Sequence, residues 1–250
     1  MPGSTGTPLP MLLPSLVSLP RLRLPKSSRI VDSVAGLHEI HRHDVNLVVW
    51  HRAPERDLER FVTQHLSAPR LREEREVAAK TLEGPEWARG LLPASARRAD
   101  PEGAAALLSD VRFLAGVMVD LFGASLLGLR LRHLEEAMCP RFHTDYVGVR
   151  LLVTYCGPGT EWLADEHTDR RHLGHRADGV PDERSGVLLP GATIRSVPQF
   201  AVALLKGEAW PGNEEGGVVH RSPDASRSPR LLLSLDVLAQ TLDEAPEGSR

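Results

Sequence analysis

His143 and Asp145, one residue apart in Cys139-Pro140-Arg141-Phe142-His143-Thr144-Asp145, are the pair in this chain best spaced to do chemistry. In an extended segment residues i and i+2 share a face, so an imidazole and a carboxylate reach toward one ion. A strand-like run, Val149-Arg150-Leu151-Leu152-Val153-Thr154-Tyr155, follows at once. His220, in Gly216-Gly217-Val218-Val219-His220-Arg221-Ser222-Pro223, offers a third ligand on another β-prone run. Two His and one carboxylate on one side of an ion leave the opposite positions open, as non-haem Fe(II) oxygenases require. The same donors suit Zn(II). An ordinary hydrogen-bonded His–Asp pair at a strand end is the reading without a metal.

A charged residue further on narrows the chemistry. Arg230 begins Arg230-Leu231-Leu232-Leu233-Ser234-Leu235-Asp236, ten residues after His220. Alternation puts Arg230, Leu232, Ser234 and Asp236 on one face of this strand and Leu231, Leu233 and Leu235 on the other. A guanidinium in so apolar a strand needs a counter-charge. The far carboxylate of a metal-chelating 2-oxo acid would provide one, since the guanidinium fork matches a carboxylate bidentately. A salt bridge to Asp236 or Glu208 is the competing reading. A second His-Thr-Asp, at His167 to Asp169, sits in a polar, Arg-rich stretch where little would hold its ligands in place. The first copy is therefore the expected site.

The elements that must position these residues change character along the chain. Leu58, Phe61, Val62 and Leu66 recur at helical spacing after Pro54, and Leu107, Val111, Leu114, Ala115 and Met118 form a stripe after Asp100-Pro101. The charged run Arg70 to Glu76 reads as a solvated helix face, and His38 to Asp44 as a solvated turn without HExxH spacing. Asn46 to Trp50 is a short buried strand. At Gly123 the period falls to two: Leu127, Leu129 and Leu131 alternate with Gly128, Arg130 and Arg132. Strands are further expected at 149–155, 186–189, 200–205, 217–221 and 229–237, with Gly157-Pro158-Gly159 as a turn. Ala164 to Gly186 reads as a long loop and a candidate lid. The expected fold is α+β: a mainly helical part at 29–123, then a jelly-roll or cupin-like double-stranded β-helix at 124–242, together one domain. Residues 1–28 are expected to be a disordered leader and 243–250 a disordered tail.

With 250 residues, 41% of them hydrophobic, the chain can bury a sizeable core. Its formal charge of −3 supplies no global basic field for nucleic acid. Prolines 8, 10, 14 and 20 interrupt the apolar N-terminal stretch, which argues against a signal peptide or membrane span. Two cysteines are too few for a disulfide framework, so a reducing cytoplasm is the expected compartment. No Gly-x-Ser-x-Gly elbow, P-loop or dinucleotide fingerprint is present.

The order His143-x-Asp145, strand, glycine turn, Lys206-Gly207-Glu208, His220, Arg230 resembles the Fe(II)/2-oxoglutarate dioxygenase superfamily. That resemblance implies Fe(II) held by His143, Asp145 and His220, the 2-oxoglutarate 5-carboxylate on Arg230, and a second contact from Tyr155. It departs at Leu232, where the superfamily often has a small hydroxyl residue; Ser234 is the nearest hydroxyl. More closely, Cys139 to Asp145, Thr154-Tyr155-Cys156-Gly157-Pro158-Gly159-Thr160-Glu161-Trp162 and His220-Arg221-Ser222-Pro223 resemble a bacterial family known as domain of unknown function 1826. This likeness runs from about Asn46 to Val237, and the family has no established activity.

The expected function is an Fe(II)/2-oxoglutarate-dependent oxygenase that hydroxylates or demethylates an unidentified small molecule or protein. Arg141, Arg150, Trp162 and Trp210 are candidate substrate contacts. The alternatives are a Zn(II)-binding protein, for metal handling or hydrolysis, on the same triad, and a metal-free barrel that binds a partner. Neither a membrane nor a nucleic acid is an expected partner.

Overall fold

The computed structural model describes residues 24–66, 71–173, 180–226 and 228–240. The expected leader and tail lie outside these residues, apart from positions 24–28. Ten strands are described: β1 (Ser27–Val31), β2 (Val45–Trp50), β3 (Arg72–Ala78), β4 (Ala124–Leu134), β5 (Val149–Cys156), β6 (Glu161–Trp162), β7 (Arg195–Ser196), β8 (Val202–Lys206), β9 (His220–Arg221) and β10 (Arg230–Gln240). The helices are α1 (Arg56–His65), α2 (Ala94–Ala99), α3 (Pro101–Phe122) and the single turn α4 (Asp182–Ser185).

Seven strands form a large sheet in the order β1-β2-β8-β5-β10-β4-β3, and three form a small one, β7-β6-β9. Period-two alternation divides the large sheet's side chains between two layers. Leu127, Leu129, Leu131, Val149, Leu151, Val153, Leu231, Leu233 and Leu235 face the helices in the main core. On the opposite face Leu47, Val49, Leu152, Ala203 and Leu205 pack with Trp162 and Val218 of the small-sheet side. The α+β class and the pairing of two sheets match the expectation.

The mainly helical N-terminal part does not. Residues 29–123 contribute β1, β2 and β3 to the large sheet as well as α1 to α3. The charged run expected to be a helix face is β3, an edge strand whose Glu73, Glu74 and Arg75 pair with Leu131, Arg130 and Leu129 of β4. Charge suits an exposed edge because it discourages pairing with another chain. The His-rich segment is a 3-10 turn over Val34–His41 whose Leu37 and Ile40 are fully buried.

α3 begins and ends as its sequence dictates. Asp100 Oδ1 accepts from the Gly103 amide at 2.9 Å, Pro101 follows, and Gly123 closes the helix at φ 60. The expected strands at 186–189 and 217–221 shorten to a bridge between Thr168 and Leu188 and to β9. Among the described residues no helix is long and apolar enough to cross a membrane.

Candidate metal centre

The His143 segment extends the small sheet. His143 and His220 form an antiparallel bridge in which each amide donates to the other's carbonyl at 3.0 Å, and the Ser222 amide donates to Cys139 O at 2.9 Å. Phe142 points away into a cluster with Leu163, Val187 and Val219. Alternation then turns His143 toward the cavity between the sheets. Beyond it, the Glu208 amide donates to Asp145 O at 2.9 Å, and Gly207 passes so close that a Cβ there would lie 2.2 Å from Val147 O and 2.6 Å from Asp145 O. Only glycine fits that approach.

One ligand atom from each of His143, Asp145 and His220 lies within 4.8 Å of the others, and this is the metal-competent group found among the described residues. His143 Nδ1–H donates to Arg141 O at 2.8 Å, and His220 Nδ1–H to Val218 O at 3.0 Å. Carbonyls only accept, so in the neutral imidazoles both Nε2 atoms carry lone pairs. His143 Nε2 lies 3.7 Å from Asp145 Oδ1 and His220 Nε2 lies 3.3 Å from Asp145 Oδ2. Three electron-pair donors facing one point are stable around a cation, so the residues fit a divalent metal.

Charges behind the carboxylate reinforce this. Arg150 Nη1 donates to Asp145 Oδ2 at 2.5 Å, while its Nε and Nη2 grip Asp236 at 2.7 and 2.9 Å. Burial opposes ionisation of Asp145, but His220, Arg150 and His143 outweigh it and hold the carboxyl well below the usual carboxylate range. Burial, then the neighbouring His220, pushes the His143 imidazole down, which favours the neutral form that binds metal.

Arg230 is 1% exposed, and its Nη2 donates to Thr154 Oγ1 at 3.2 Å and Thr160 Oγ1 at 3.0 Å. Its Nε and Nη1 are buried without a partner among the described residues. Desolvation lowers its pKa to about 10, with Glu161 opposing, so it stays charged near neutrality. Neither expected salt bridge forms: Asp236 serves Arg150 and Arg130, and Glu208 lies 3.8 Å from Arg170. An orphaned cation of this kind fits an absent carboxylate.

A cavity of about 180 Å³ is lined by His143, Asp145, His220, Arg150 and Thr160 among others, and Arg230 meets this lining through its bond to Thr160. Several expected contacts lie elsewhere. Tyr155 faces the helices and donates to Asp110 Oδ2 at 2.6 Å, because position 155 is out of phase with Arg150 and Thr154. Arg141 donates to Asp182 at 2.6 Å outside the cavity lining. Trp162 is packed between the sheets beneath Arg195. Trp210 meets Phe122 edge-on and a tilted His41 under Lys206 on the helix side.

The second His-Thr-Asp copy is a local cap, with Asp169 accepting from Arg171. No described residue of the 164–186 loop lines the cavity. Thr154, Thr160, Arg130 and Arg132 were not singled out from the sequence, and Ser234 only as a hydroxyl on the face of Arg230. For Ser234 the signal was present as strand parity with Arg230, whereas Arg130 and Arg132 join that face only through the register of β4 on β10.

Structural likeness was found with the dioxygenase for auxin oxidation of rice, at 15% identity, TM-score 0.46, over 86% of this chain and 84% of that one. The Arabidopsis thaliana dioxygenase for auxin oxidation 1, in complex with 2-oxoglutarate, aligns at 11% identity and TM-score 0.43, over 85% and 93%. A Pseudomonas putida prolyl-4-hydroxylase aligns at 14% and 0.41, over 82% and 98%. No curated protein matches the sequence. The model described as protein of unknown function (DUF1826) spans residues 31–236, the region that contains the small sheet, most of the large one and all three metal-competent side chains, and the chain belongs to that family.

Proposed function

We propose that the protein is a non-haem Fe(II)- and 2-oxoglutarate-dependent oxygenase whose two sheets form a double-stranded β-helix. The observation that carries this reading is Arg230, a buried guanidinium with two nitrogens unpartnered among the described residues, held by a threonine that lines the same cavity as the triad. A zinc site alone has no use for such a cation.

His143, Asp145 and His220 would hold the metal, and Arg230 would anchor the far carboxylate of the 2-oxo acid. When bound, the metal and its cosubstrate supply oxidative decarboxylation coupled to hydroxylation or demethylation. The protein's own part is positioning. Carbonyls of Arg141 and Val218 fix both imidazole tautomers, Arg150 fixes the carboxylate, Thr154 and Thr160 aim Arg230, and Leu152 and Leu232 exclude water. Cys139 and Cys156 are free thiols, which supports the proposed cytoplasmic compartment.

The test is metal content after anaerobic purification together with 2-oxoglutarate-dependent succinate release. Stoichiometric iron with succinate release is expected. His143→Ala should lose both, and His167→Ala should keep its metal. Tight zinc without turnover would replace this reading with the zinc-protein one, and no metal at all would favour a binding module.

A further inference from the structure

The cavity floor has a half that the proposed chemistry leaves unused. β10 lies between β4 and β5, and the register sets its inward-facing residues in rungs: Arg132–Leu232–Thr154, then Arg130–Ser234–Leu152, then Gly128–Asp236–Arg150. Thr154, on the β5 side, holds Arg230 and so places the cosubstrate there. The β4 side carries two arginines and no part of the triad.

Arg130 Nη1 is held by the buried Asp236, which Arg150 shares, but the other counter-charge of the pair is exchangeable. Arg130 and Arg132 share Glu74, a 53% exposed side chain on the edge strand β3. Arg132 directs its other terminal nitrogen at Met138 Sδ, 3.9 Å away, a weak acceptor. Between the arginines and the β5 side sits Ser234, 7% exposed and lining the cavity, whose buried Oγ has no partner among the described residues. A buried hydroxyl left unpaired costs free energy unless a ligand satisfies it. Paired guanidinium groups on a cavity wall match the planar, multidentate geometry of an oxyanion.

We propose that Arg130, Arg132 and Ser234 form a second anion subsite, which takes the carboxylate or phosphate group of the substrate to be oxidised. At about 180 Å³ the cavity is smaller than the ~300–1,000 Å³ common for small-molecule sites, so only a small acid or the acidic end of a larger molecule enters. Calling the ligand the oxidised substrate rests on the oxygenase reading, whereas the subsite itself does not.

The test therefore uses no turnover. Inorganic phosphate and acetate are each titrated by calorimetry, at low ionic strength, into wild type, Arg230→Met, Arg132→Met and Ser234→Ala. Binding of at least one anion is expected to survive Arg230→Met, to weaken at least tenfold in Arg132→Met, and to weaken measurably in Ser234→Ala, a change small enough to leave the fold intact. Whichever anion binds more tightly identifies the substrate's acidic group. Binding lost in Arg230→Met but untouched in the other two, or no binding of either anion, would overturn the subsite. Absence of succinate release alongside intact anion binding would overturn only the oxygenase reading.

Discussion

Arg150 is the residue on which the metal-binding geometry leans most. It holds Asp145 at one end and Asp236 at the other, so the carboxylate cannot swing away from the two imidazoles. Arg150→Met should weaken metal affinity about 10–100-fold, the usual loss when a residue supporting a ligand is removed, measured by competition with a metallochromic chelator. Unchanged affinity would mean that the backbone alone fixes the site. Parity made much of this readable from sequence: His143 with Asp145, and Arg230 with Ser234 and Asp236, follow from alternation. The same rule, applied from Arg150, sends Tyr155 to the other face, where it meets Asp110. What alternation does not encode is which residue across the cavity completes a contact. Thr160 meets Arg230 from seventy positions away, and nothing local announces that bond.

The elements bring the ligands together through one close crossing. Gly207 follows β8 where the 145–148 segment folds over it, and its amide donates to Gly148 O at 3.0 Å. A methyl group there would meet two carbonyl oxygens at 2.2 and 2.6 Å, so the Asp145 segment must shift. Gly207→Ala is expected to cost about 1–3 kcal/mol by thermal unfolding and to reduce metal affinity at the same time. Stability and affinity both at wild-type values would show that the segment yields freely. Helices α1 and α3 and strands β2, β4, β5 and β10 were legible because apolar periodicity and caps are local signals. β3 was not, since Arg72 to Glu76 has charges on both faces and becomes a strand only by pairing with β4. β1 likewise gains its order from β2, with which it runs parallel. These non-local pairings turned the expected helical segment into part of the sheet.

For the whole molecule, the buried charges link folding to pH and to ligands. His143 and His41 both have pKa values lowered chiefly by burial, so the unfolded chain binds more protons than the folded one below their ordinary value near 6.5. Stability of the metal-free protein should fall as pH drops through that value, and urea midpoints from pH 7.5 to 5.5 check it; a flat or rising profile contradicts the assignment. Bound metal should oppose the loss until protons displace it from the imidazoles. Arg230 adds a cost of its own, a desolvated cation with two donors unmet among the described residues. Calorimetric titration of 2-oxoglutarate into anaerobic, metal-loaded wild type, Arg230→Lys and Arg230→Met tests the central claim most directly. The wild type should bind, Arg230→Lys should bind more weakly because the bidentate fork is lost, and Arg230→Met should lose about 2–5 kcal/mol of binding, with metal content equal in all three. Equal binding by all three proteins, or none by the wild type, would contradict the account.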